Sequence, residues 1–294
     1  MYAPDRESLT DQNRIPFLPS WVTSARAEAP EYVSFLSGAA LSHLHHAISL
    51  DEVPMNLVRD RLALRAAEVT VAFAGRHETA AELRDAVHFL EPGDLPGPAG
   101  EIYLSWQRAV RRPVQANALH KGLGSVSSQL IAQSLAPKGR APVEHAVSVL
   151  EECVSDDSIP VVAALILADA ALARSLGWAR ILPVFALGLT TADLRKRDQS
   201  LRLACHQALQ VAIIEILRHI SECTRGVRNL AAVVPKLRAK GAAGAVEVFL
   251  TQDAAAASAL PLPDRAARRL CDRLTSLGVL RELSGRDSFR LYGV

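Results

Sequence analysis

Residues 192–223 carry a helical periodicity whose middle part, 203–217, is apolar around much of its circumference. A helix with so little polar face has to be wrapped by other elements, which places it at the centre of its domain. The rest of the chain supplies that wrapping as further helices. From residue 29 on, Tyr32, Phe35, Leu36, Ala39, Ala40 and Leu44 recur at three- and four-residue steps, the spacing of one helical face. Residues 56–74 read as an amphipathic helix stopped by Gly75, where a left-handed residue is favoured, and 78–90 complete a helical hairpin. Helical patterns resume at 101–111, 125–135, 142–154, 160–175 and 178–187, with shorter ones at 227–239 and 242–251. Only residues 280–294 read as strand. With 294 residues, 49% of them apolar, the material for a large core is present, and the expected fold is mainly α, a multi-helix bundle.

Three segments follow from these patterns. Residues 1–28 mix Pro4, Pro16 and Pro19 with polar residues and read as an extended arm anchored by Phe17, Leu18 and Trp21. Residues 29–239 form a helical body, interrupted at 91–100, where three prolines and three glycines remove donors and invite turns. Residues 240–294 form a separate module. The first residues, Met-Tyr-Ala-Pro-Asp-Arg-Glu, do not make the basic start and apolar run of a signal peptide. The longest apolar stretch, 161–173, contains Asp169 and is shorter than the roughly 20 residues of a membrane span. Cys153, Cys205, Cys223 and Cys271 are scattered without a Cys-x-x-Cys pair and read as buried thiols. A cytoplasmic protein with no membrane partner is expected.

The C-terminal module carries the most specific pattern. On a helical wheel Ala267, Leu270, Cys271, Leu274 and Leu277 share one arc, while Arg265, Arg268, Arg269, Asp272 and Arg273 share the opposite one. Asp264 is placed to cap this helix and Gly278 to end it. Residues 279–283 and 288–292 then alternate around a turn at 284–287, as a hairpin does. Helix, helix, arginine-rich helix and two-stranded wing is the order of a winged helix-turn-helix. The whole chain has a net charge of +2, whereas residues 264–294 hold seven arginines against four acidic residues, a surplus of three. In winged-helix readers of DNA the second helix of the turn enters the major groove, and arginine suits both phosphates and guanine edges. Arg265, Arg268, Arg269 and Arg273 are thus the expected groove face, with Arg286 at the wing tip. The same face also serves as a solvated surface on a winged helix that binds protein, and Asp272 and Asp287 among the arginines speak for that alternative.

Other candidates are sparser. His43 and His46 lie i, i+3 on one helical face and would ligate a metal if Asp51 or Glu52 converged on them. Residues 121–125, Lys-Gly-Leu-Gly-Ser, have the ingredients of an anion cradle but read as a turn with Ser125 as a helix cap, since the lysine precedes the glycines. Residues 194–198 form a short basic run. The charges of 56–90, among them Arg59, Arg61, Arg65, Glu68, Arg76, Glu78 and Arg84, read as helix-surface ion pairs. No catalytic or cofactor motif stands out. The expectation is a non-enzymatic DNA-associated or regulatory protein. In it the helical body associates with itself or a partner, and the winged helix contacts double-stranded DNA. The alternatives are a protein–protein adaptor and, behind it, an enzyme or metal protein using the His43/His46 face.

Gly38-Ala-Ala-Leu-Ser-His-Leu44, Arg59-Asp-Arg-Leu-Ala-Leu-Arg-Ala-Ala67, Glu82-Leu-Arg-Asp-Ala-Val-His-Phe-Leu90 and Pro96-Gly-Pro-Ala-Gly-Glu-Ile-Tyr103 resemble a known family. So do Asp264-Arg-Ala-Ala-Arg-Arg-Leu270, Arg281-Glu-Leu-Ser-Gly-Arg286 and Phe289-Arg-Leu-Tyr-Gly293. It is the alphaproteobacterial family designated domain of unknown function 1403, and the resemblance runs over nearly the whole chain. It implies a bacterial cytosolic protein and brings no activity or functional residues with it. A place in a chromosome- or plasmid-maintenance complex would suit the adaptor reading. The tail also resembles the winged helix that follows the catalytic domain of many Fic-type proteins, but the His-Pro-Phe-x-x-Gly-Asn-Gly-Arg loop of their chemistry is absent.

Overall fold

The structure is a computed structural model and describes residues 18–23, 29–91, 93–137, 139–237, 241–284 and 290–294. The helices run α1 (Ser20–Thr23), α2 (Pro30–Ala47), α3 (Met55–Phe73), α4 (Ala80–His88), α5 (Gly97–Arg111), α6 (Ala116–His120), α7 (Ser128–Leu135), α8 (Pro142–Val154) and α9 (Val161–Ser175). They continue with α10 (Val184–Gly188), α11 (Asp198–Val233), α12 (Ala242–Thr251) and α13 (Asp264–Ser276), and short strands β1 (Ala255–Ala256), β2 (Arg281–Glu282) and β3 (Leu291–Gly293) complete the chain. A mainly helical fold is therefore observed.

The apolar segment around 203–217 belongs to α11, which is 36 residues long and runs through the middle of the bundle. Leu201, Cys205, Leu209, Ile213, Ile216 and Ile220 are all fully buried, and α2, α10, α3 and α8 pack around them. The helix expected at 227–239 is the continuation of α11. It ends where Pro235, which has no N–H to donate, turns the chain into a 3-10 turn at Val234–Lys236. Among the described residues this is the one helix long and apolar enough to cross a membrane by length and composition, and 56% of its most apolar window is buried in the protein. The pairs α3 with α5 and α8 with α9 form the other main contacts. A single cluster of buried apolar residues extends from Val22 to Val294.

Several boundaries differ from the sequence pattern for local reasons. Helix α5 begins at Gly97, inside the expected 91–100 loop, because Pro98 in its first turn needs no hydrogen-bonding N–H there. Ser127, not Ser125, caps α7, accepting from the Leu130 N–H at 3.2 Å. Of residues 178–187 only the end is helical. Arg180 instead forms a β-bridge with Pro113, and the Val114 N–H donates to the Ala179 carbonyl at 3.1 Å. Thr79 and Glu82 form a reciprocal capping box at the start of α4.

Asp169, the acid inside the apolar stretch, sits on α9 and accepts from the Phe185 N–H at 2.9 Å, which fixes the first turn of α10. Burial pushes its carboxyl well above the usual carboxylate range, and the N–H groups of Phe185, Val184 and Ala186 only partly oppose this. A carboxyl whose folded pKa is raised holds its proton in the native state. Stability therefore falls as pH rises from the unfolded value toward the folded one. Asp169→Asn keeps the acceptor without the charge. Its melting temperature is expected to gain on the wild type between pH 4 and pH 8, and a pH-independent difference would contradict this reading.

Candidate nucleic-acid interface

After α12 the chain enters a three-stranded antiparallel sheet of order β1-β3-β2, with Ala255 opposite Tyr292 and Arg281 opposite Gly293. Between β1 and α13 stands only a 3-10 turn, Ala257–Ala259, so the helix that precedes α13 is α12, at the expected 242–251. Pro261 and Pro263 follow at once and prevent a helical continuation. Strand β1 has no signal in its alanines; it forms because β3 runs beside it.

Buried charge fixes this module to the body. Asp253, just before β1, is fully buried and receives Arg61 Nε of α3 at 2.9 Å and Arg84 Nε of α4 at 2.7 Å. Its own N–H donates to Asp60 Oδ2 at 3.0 Å, and Asp60 pairs with Arg111 of α5 at 2.7 Å. Arg61 also donates to the Val294 carbonyl at 2.8 Å, so one side chain holds both ends of the module. Two glycines make room for this closure. A Cβ on Gly293 would lie 2.3 Å from the Asp253 carbonyl oxygen, and one on Gly226 of α11 would lie 2.3 Å from Val294 Cγ1. Burial drives the Asp253 carboxyl upward, but Arg84 and Arg61 together outweigh it and hold the group below its ordinary range. The Tyr103 hydroxyl lies buried beside this network, and burial followed by the Asp60 and Asp253 charges makes it harder to ionise.

Helix α13 stands on this base. Ala267, Leu270, Cys271 and Leu274 are buried, as the wheel requires, whereas Leu277 is 42% exposed because the helix has already ended at Ser276. Pro263, not Asp264, occupies the cap position, with no side-chain cap bond, and Gly278 ends the helix in the left-handed region at φ 70°. Arg265, Arg268, Arg269 and Arg273 are all exposed, and none enters an ion pair with a described residue. The packing nevertheless divides them. Arg268, with Asp264 and Asp272 one turn away on either side, lines a cavity of about 520 Å³ shared with His88, Tyr292 and Arg290. Arg265, Arg269 and Arg273 take no part in that lining and stack at i, i+4, i+8 as a separate ridge. Burial pushes the His88 imidazole below its ordinary value. Arg286 lies outside the described residues.

The remaining candidates are not brought together. His43 is half-buried and His46 exposed on α2, and among the described residues no three His, Cys, Asp or Glu side chains gather to hold a metal ion. His45, on the same helix, accepts from Trp178 Nε1 at 2.9 Å. Ser37 Oγ lies 2.6 Å from His206 Nδ1 and also donates to the Ser34 carbonyl of its own helix at 2.9 Å; the serine is buried, and both residues border a cavity of about 480 Å³. In the basic run, Lys196 pairs with Asp193 and Arg197 donates to the Leu194 and Lys196 carbonyls. Of the charges on 56–90, Arg65–Glu68 and Arg76–Glu78 are local pairs as expected, whereas Arg61 and Arg84 turn inward to Asp253. That inward turn is what the sequence did not signal.

No curated protein matches the chain. The family model described as Protein of unknown function (DUF1403) matches residues 6–294, nearly all of the chain, which therefore belongs to that family.

Proposed function

We propose that residues 240–294 act as a winged helix-turn-helix and that the protein is a non-enzymatic, DNA-associated one. Its α13 enters the major groove while the helical body serves association with itself or a partner. The order β1-β3-β2 behind an arginine-bearing helix is the support for the module. The observation that carries the DNA reading is the ridge Arg265, Arg269, Arg273. It is exposed and has no carboxylate partner among the described residues, whereas Arg61, Arg65, Arg84, Arg202 and Arg218 all have one. At 1.5 Å of rise per residue the three guanidinium groups leave the helix at intervals of about 6 Å, suited to successive phosphate or base-edge contacts. Fluorescence anisotropy of the full chain on a random duplex tests it. Three phosphate contacts predict that log affinity falls with log salt at a slope of about −3. A slope near zero, or no binding at low salt, overturns the reading.

One observation favours the adaptor reading as a second. Trp21, Tyr32 and Phe35 are 50%, 45% and 59% exposed and stack as a ladder, with ring centroids 5.7 Å apart for Trp21–Phe35 and 6.4 Å for Tyr32–Phe35. Exposed aromatics of this kind are enriched where proteins meet.

A further inference from the structure

Arg59 of α3, Arg111 at the end of α5 and Arg180 of the segment before α10 converge on one recess of about 320 Å³, completed by Asn56, Thr251 and Gln252. The bridge between Pro113 and Arg180 ties the last two elements together, so the arrangement belongs to the scaffold. Arg111 forms an ion pair with Asp60 through one Nη at 2.7 Å, and its other donors are left over. Arg59 and Arg180 have no carboxylate partner among the described residues, and Arg59 Nε is closed off from solvent with no acceptor. This contrasts with Arg61 and Arg84, two other inward-turned arginines, which share the carboxylate of Asp253. Burial, followed by the positive charge of Arg180, pushes the Arg59 guanidinium down to about 10, a sign that the site as it stands disfavours its own charge. A buried donor without an acceptor, among cations that repel one another, is completed by an anion.

We propose that this recess is an oxyanion site for a small phosphate-bearing ligand. Guanidinium forks match phosphate oxygens two at a time. The side-chain amides of Asn56 and Gln252 add neutral donors around them, while the Thr251 hydroxyl is already donated to the Glu247 carbonyl at 2.9 Å. The volume lies at the lower end of the range of small-molecule sites, which fits phosphate itself or a short phosphate monoester and does not fit a duplex. The site is separate from the α13 ridge, so either can fail without the other.

Calorimetric titration of the full chain in chloride buffer, with inorganic phosphate in one arm and glycerol 3-phosphate in the other, tests the assignment. One-to-one binding is expected, weakened about tenfold or more in Arg180→Gln and unchanged in Arg269→Ala. Tighter binding of the ester marks an organic phosphate as the ligand, and tighter binding of phosphate marks the free ion. No saturable heat from either up to about 10 mM, or equal affinity in Arg180→Gln, overturns the proposal. Displacement of phosphate by a short DNA duplex overturns it as well, because the recess would then be reading nucleic acid.

Discussion

Asp253→Asn is expected to cost about 3–5 kcal/mol of folding stability in urea unfolding, because it removes the charge that two buried arginines share. The side chains of Arg61 and Arg84 are only 12% and 13% exposed, and among the described residues no second carboxylate is paired with either. An asparagine can accept from one of them and turns its amide nitrogen toward the other. The loss should shrink when Arg84→Met is combined with it, since the expense lies in the stranded cation. The pH dependence follows from the depressed carboxyl. Its contribution is complete above the unfolded aspartate value of about 3.9 and disappears as pH falls through the lower folded value. Wild type and variant should therefore differ by a constant amount from pH 5 upward and converge in acid. A variant as stable as the wild type at pH 7 would mean that the module is held by its apolar contacts alone.

Gly188→Ala is expected to destabilise by about 1–3 kcal/mol, although alanine is ordinarily the better helix former. The last residue of α10 lies against the backbone of α11. A Cβ there would stand 2.1 Å from the Ala208 carbonyl oxygen and 2.6 Å from its carbon. Neither is the end of a flexible side chain, so the two helices have to separate, and α11 is the helix on which the bundle is built. The same change at Gly75, at φ 72° with open space around it, meets only backbone strain. Thermal unfolding of the Gly188 variant checks the prediction, and an unchanged or raised melting temperature would contradict the close approach of α10 to α11.

These two positions show what a sequence can and cannot convey. The buried arc of α13 and the left-handed glycines at 75 and 278 are local properties and were legible from spacing alone. So was the central place of 203–217, because a helix apolar all round has no alternative to burial. Asp253 gave no comparable signal. It is a single acid in a loop, and its partners stand 192 and 169 residues away on two different helices. The separation of Arg268 from Arg269 is hidden for the same reason. The wheel sets both on one arc, and only the approach of α4 and β3 on one side gives Arg268 a cavity wall. The arginines of the anion recess come from three elements, and the lack of a carboxylate partner for Arg59 and Arg180 among the described residues is a fact of packing. Strand β1 exists through its pairing with β3, which no alternation in Ala255 and Ala256 foretells.

We propose that α13 meets a polyanion through the edge that carries Arg265, Arg269 and Arg273, and not through Arg268, which borders the cavity beside α4. Anisotropy titrations of Arg269→Ala and Arg268→Ala on the same duplex at two salt concentrations test it most directly. Arg269→Ala should weaken binding and reduce the salt slope by about one, while Arg268→Ala leaves affinity and slope close to the wild type. Equal losses in both variants would contradict the division of the face, and no loss in either would contradict the nucleic-acid interface itself.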